Sequence, residues 1–147
     1  MSIEHTIDID APVERVWELT LDVESWPEHT PTMTSVERLD DRPLAVGSTV
    51  RIKQPAQRAR LWTVSHLEPN RRFAWSAKTM GTTMIATHEL TPNGSGTTQT
   101  LRVEIEGKLS RFVQALVGRP IAKAIATENH GFKTVAEQHD DRPATGR

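Results

Sequence analysis

The chain has no cysteine and no tyrosine, and aromatic residues make up only 5% of it. Without Cys there is no disulfide, no thiol nucleophile and no thiolate-bound metal. Without Tyr there is no phenolic proton donor. Long apolar runs are missing as well, and none approaches the roughly 20 residues that a membrane-spanning helix needs. Neither sign of charge dominates. Its 147 residues carry 18 Lys and Arg against 19 Asp and Glu, a net charge of −1. That balance gives no electrostatic reason to expect nucleic acid as a partner. Positive charge gathers locally only at Arg51, Lys53, Arg58 and Arg60, as a solvated edge or as a guide for an anionic ligand. The opening Met1-Ser2-Ile3-Glu4-His5 has neither the basic nor the apolar region of a secretory signal. The expectation is a cytoplasmic protein. The length suits one domain, expected over 1–139, with a polar, disordered tail over 140–147.

Strand periodicity is what the chain does have. Ile3, Ile7 and Ile9 alternate with polar residues, the signature of a half-buried strand. Asp10 or Ala11 then offers a helix cap, Pro12 suits the first turn, and Val13, Val16, Trp17 and Thr20 recur at helical spacing. Pro27 and Pro31 confine the next stretch, 22–29, to a short helical turn. Strands are expected at 35–39, 48–54, 61–67, 72–78, 82–90 and 97–105. Asn93-Gly94 marks a hairpin between the last two. Leu101, Val103 and Ile105 share one face of the final strand, and Arg102, Glu104 and Glu106 share the other.

From Leu109 the period becomes helical and runs to Gln138, with Leu109, Phe112, Val113, Leu116 and Val117 apolar. Pro120 lacks the amide that continues a helix, so a kink or break is expected there. The order predicts an α+β, helix-grip architecture. A curved seven-stranded antiparallel sheet wraps a long C-terminal helix, with two short helices after strand one. One helix does not fill so wide a sheet, so a cavity between them is expected.

Particular segments resemble a known superfamily. They are Ile-Asp-Ala-Pro-Val-Glu-Arg-Val-Trp at 9–17, Asp-Val-Glu-Ser-Trp-Pro at 22–27, Trp-Thr-Val at 62–64 and Leu-Glu-Pro-Asn-Arg-Arg-Phe-Ala-Trp at 67–75. His-Glu-Leu-Thr-Pro-Asn-Gly-Ser-Gly-Thr at 88–97 and Glu-Ile-Glu-Gly at 104–107 complete the set. Together they resemble the START-related, birch-pollen-allergen-like superfamily (SRPBCC), in its polyketide cyclase/dehydrase branch, over about residues 2–138. The resemblance implies a helix-grip fold whose hydrophobic pocket takes lipids, polyketides or other apolar molecules. That superfamily holds binding proteins, transporters and cyclases, so the fold alone does not choose an activity.

The chemical inventory is thin. His88 shares a strand face with Met84, Ala86 and Leu90 and is expected to point inward. There it is either a core histidine with a backbone partner or a group that orients or deprotonates a ligand. Glu128 shares a helical stripe with Ile121, Ile125, Phe132 and Val135. It is either a boundary residue or a desolvated carboxyl paired with His88. Trp62, Phe73, Trp75, Met84, Leu101, Val103 and Ile125 complete the expected ligand-binding set, with His66 a weaker candidate on the Trp62 face. Trp17 and Trp26 read as scaffold. Six scattered His show no metal-ligand spacing, and no metal or cofactor is expected. Gly94-Ser95-Gly96 is a turn, not a nucleophile elbow.

Three functions follow. One is binding or carriage of a small hydrophobic molecule. A second is a cyclase or dehydratase moving protons with His88 and Glu128. The third is a regulatory module whose pocket is closed by Pro120 and the loops at 55–60 and 80–81.

Overall fold

The structure, a computed structural model, describes residues 2–79 and 81–141. Met80 and the part of the expected tail beyond 141 lie outside the described residues. Seven strands are formed: β1 Ser2–Ile9, β2 Ser35–Arg38, β3 Thr49–Lys53, β4 Arg60–Glu68, β5 Arg72–Thr79, β6 Thr82–Asn93 and β7 Gly96–Glu106. They make one antiparallel sheet in the order β1-β7-β6-β5-β4-β3-β2. Two short helices, α1 Val13–Leu21 and α2 Trp26–His29, follow β1, and the long α3, Ser110–Asp141, closes the chain. This is the helix-grip architecture.

Local chemistry departs from expectation at four places. Pro12 is itself the N-cap of α1, extended at φ −66° and ψ 154°, and its carbonyl accepts from the amides of Arg15 and Val16. Proline's fixed φ suits that extended position as well as it suits the first turn. The β6–β7 turn sits one residue later than Asn93-Gly94 suggests. Asn93 pairs with Gly96, and of the two central residues Gly94 takes positive φ at 63°. Glycine in the first central position is the type II′ arrangement.

Third, β4 carries a bulge between Val64 and His66. An extra residue reverses the alternation of a strand. Trp62 and Val64 therefore point inward before it, and Leu67, not His66, packs on the core after it. His66 is turned to the outer side, where its Nε2 lies 3.0 Å from Glu68 Oε1. Its candidacy for the pocket lapses for that reason. Fourth, Pro120 does not interrupt α3, which is continuous across it.

The core forms where α1, α2 and the second half of α3 meet the sheet. Trp26 is its hub, 2% exposed. Its indole N–H donates to Leu19 O at 3.0 Å, and its ring meets those of Phe73, Trp75, His88 and Phe132. Aromatic edge-to-face packing of this kind adds to the stabilisation from burial. The second half of α3 is fixed by polar contacts too. Asn129 is fully buried, donates to His5 O at 3.0 Å and accepts from Gln99 Nε2 at 2.7 Å. Gly131 allows the closest approach, because a Cβ there would run into the His29 carbonyl oxygen. The first half of α3 packs through Val113, Val117 and Ile121 on Leu101, Val103 and Ile105 of β7, and a space remains between it and the strands beyond.

Candidate functional site

A cavity of about 280 Å³ lies between the sheet and the first half of α3. The sheet contributes Trp62, Trp75, Met84, His88, Leu101 and Val103, and α3 contributes Val113, Val117, Ile121, Ile125 and Glu128. Strand alternation explains the sheet side: Met84, Ala86 and His88 are successive inward positions of β6, opposite Ile105, Val103 and Leu101 of β7. Helical spacing explains the other wall, since Val113, Val117, Ile121, Ile125 and Glu128 follow one another every three or four residues. Gln54, Gln57 and Arg60 border the space on the side of the β3–β4 loop.

Of the residues singled out in the sequence, the structure brings eight to the cavity: Trp62, Trp75, Met84, His88, Leu101, Val103, Ile125 and Glu128. Phe73 does not reach it. Phe73 is 0% exposed and stands behind the cavity wall, its ring against Trp26, Trp75 and His88. It is inward-facing like the others, but the α1–α2 segment covers its end of the sheet. Ile52 and the α3 residues Val113 and Val117 were not singled out as site residues, although the four-residue spacing that leads to Ile125 could have found the two valines. Thr32 was missed as well. It lies in a loop without periodicity, so no pattern marks it.

His88 and Glu128 both face the interior, but they form no hydrogen bond or ion pair with each other. Of the two alternatives open for Glu128, a boundary residue or a carboxyl paired with His88, the pairing is not made. The Thr32 hydroxyl donates to Glu128 Oε2 at 3.2 Å instead. Burial pushes the Glu128 carboxyl up to about 7, and the Thr32 bond opposes that shift only partly. His88 lies against Trp26, with ring centroids 5.0 Å apart, and against Phe132 at 5.7 Å. Burial among these rings pulls its imidazole down to about 3, so it is neutral at ordinary pH. Its Nδ1 is buried with no hydrogen-bond partner among the described residues. A satisfied core histidine is thereby set aside. A buried polar atom left unpaired costs about 1–3 kcal/mol and has to be explained by something.

The chemical result is a largely apolar space with neutral His88 and the desolvated Glu128 in its wall and Gln54, Gln57 and Arg60 at its loop side. Near neutral pH the carboxyl can donate or accept a hydrogen bond, and the imidazole can do either through its two tautomers. Among the described residues no group of three or more His, Asp or Glu side chains is arranged to hold a metal ion. No described helix is long and apolar enough to cross a membrane.

A seven-stranded grip around one long helix, with a largely apolar cavity inside, defines a helix-grip fold. The chain belongs to the family described as polyketide cyclase/dehydrase and lipid transport, which matches residues 1–137. No curated protein matches it. Among solved structures it is similar to TTHA0849 from Thermus thermophilus, at 17% identity and a TM-score of 0.76, covering 96% of this chain and 100% of that one. A START superfamily protein from Mycobacterium smegmatis aligns at 17% identity and a TM-score of 0.72, over 93% of this chain and 97% of the other. The di-domain aromatase/cyclase BexL of the BE-7585A biosynthetic pathway aligns at 19% identity and a TM-score of 0.77, over 97% of this chain but 48% of BexL. At these identities the likeness is one of fold.

Proposed function

We propose that the protein binds a small hydrophobic, lipid- or polyketide-like molecule in the cavity, with one polar group of the ligand held by Glu128 and His88. The observation that carries this reading is a largely apolar cavity of about 280 Å³ whose lining includes both His88 and the desolvated carboxyl of Glu128. A hydroxyl or carbonyl on the ligand meets the polar part of the wall at Glu128 and His88, and an apolar body fills the region between Trp62, Leu101 and Ile125. At about 280 Å³ the cavity suits a compact ligand. The test is fluorescence titration with ligand pairs that share an apolar body and differ by one hydroxyl or carbonyl. Trp62 and Trp75 in the wall report occupancy. The expected preference for the polar member is about tenfold, the worth of one well-made hydrogen bond, and Glu128→Gln with His88→Phe removes it. Equal affinity of the double variant for both members of each pair, with no preference in the native chain either, overturns the assignment of the polar end.

One observation favours a second reading, a cyclase- or dehydratase-type enzyme. A carboxyl pushed up to about 7 is suited to exchange protons at neutral pH. In that reading Glu128 is the acid–base group and neutral His88 polarises or orients a carbonyl. Turnover lost in Glu128→Gln while ligand affinity is kept supports catalysis. Unchanged turnover removes it. A regulatory module with a closed pocket finds less support, because a cavity of about 280 Å³ lies between sheet and helix, close to the lower end of ligand-site volumes.

A further inference from the structure

Two lips of the cavity are the β3–β4 loop with the first residue of β4, carrying Gln57 and Arg60, and α3, carrying Val117, Pro120 and Ile121. Charge is distributed unevenly around them. Residues 42–67 contain no Asp or Glu, and neither do residues 107–127. These two segments hold nine of the chain's 18 Lys and Arg, although the whole chain is close to neutral. Arg58 and Arg60 stand on one lip, and Lys108, Arg111, Arg119 and Lys123 on the other. None of these six forms an ion pair with a described residue, whereas Arg51 on β3 pairs with Glu37 at 2.8 Å.

Between the cations of the second lip runs an uncovered apolar stripe. Leu109, Phe112 and Leu116 are 50%, 61% and 58% exposed. The sequence assigned them to the same stripe as Val113 and Val117. The structure turns only the latter two toward the sheet and leaves the other three in solvent. Three large apolar side chains at successive turns, flanked by cations and free of acids, form the face of an interfacial helix. Its partner must be apolar beneath and anionic above, which a bilayer containing acidic lipids supplies.

We propose that this face docks on anionic membrane surfaces, with Leu109, Phe112 and Leu116 entering the headgroup boundary and the two basic lips resting on lipid phosphates. Docking sets the cavity mouth against the bilayer, so an apolar ligand passes between lipid and cavity without crossing water. The contact is with the surface only. It goes beyond the cavity reading and is measured separately from it, with no ligand present.

The test is co-sedimentation of the full chain with vesicles of phosphatidylcholine alone and of phosphatidylcholine mixed with phosphatidylglycerol. Binding to the mixed vesicles is expected, with little to the neutral ones, and it should weaken steeply with added salt. Arg111→Glu with Arg119→Glu should weaken it by at least about 30-fold, because each basic residue near an acidic surface contributes about a factor of five. Phe112→Ser with Leu116→Ser should weaken it without altering the salt dependence. All four positions are exposed, so circular dichroism should show an unchanged fold. Failure to bind mixed vesicles at low salt overturns the proposal and leaves the face to an acidic protein surface. Binding that survives both double variants overturns it equally.

Discussion

At Glu128 and His88, burial acts on two groups with opposite effect on protonation, and the consequence is a pH dependence that can be worked out in sign. Glu128 rises from 4.5 to about 7 on folding, so the folded chain keeps a proton that the unfolded chain has lost. Its contribution is fully present below pH 4.5 and disappears as pH rises through about 7. His88 falls from 6.5 to about 3, so the unfolded chain holds the extra proton, and its contribution is lost as pH falls through that range. Between pH 4.5 and 6.5 the two slopes oppose and largely cancel. Glu128→Gln keeps an acceptor for Thr32 and removes one slope, so stability should rise with pH across that window. His88→Phe removes the other, and stability should fall with pH instead. Each swing is on the order of 3 kcal/mol, measurable by urea unfolding at a series of pH values. Parallel curves for both variants contradict the burial of these groups. The inward facing of both side chains was legible from spacing alone. Their failure to pair was not, because Thr32, the actual partner of Glu128, sits in a loop that periodicity does not describe.

Among the elements, α3 does two different jobs along its length. Its second half is packed and hydrogen-bonded against β1, β7 and α2, and Gly131 is the point of closest approach. In an ordinary helix Gly→Ala gains about 1 kcal/mol. Here the new methyl meets a backbone carbonyl that has no room to shift, and overpacking costs about 1–3 kcal/mol. Gly131→Ala should therefore destabilise, seen as a lower melting temperature, and a stabilised variant contradicts the packing described. The first half of α3 spans the cavity and carries Pro120 without interruption. Strand identity and order were readable from alternation and turn residues. The bulge at 64–66 was not, because one extra residue leaves composition unchanged while reversing every later side chain. The division of α3's apolar residues into cavity wall and exposed stripe was also hidden. Leu109, Phe112, Val113, Leu116 and Val117 cover two adjoining faces, and only the position of the sheet decides which is inside.

At the scale of the molecule, the fold is one long helix held at its far end and bridging a gap at its near end. The sheet is too wide for that helix to fill, and the apolar cavity is the consequence. Family membership agrees with this architecture over residues 1–137. The central claim is that the space exists to be occupied. Ala124→Phe tests it most directly, because Ala124 lines the cavity on α3 and a phenyl ring there fills the volume a ligand needs. The measurement is saturable quenching of Trp62 and Trp75 by a panel of compact hydrophobic compounds, in the native chain and in this variant. One-to-one binding is expected in the native chain, lost in Ala124→Phe while the circular dichroism and unfolding transition stay native-like. Binding of equal affinity in both, or none in the native chain across the panel, contradicts a cavity that serves as the binding site.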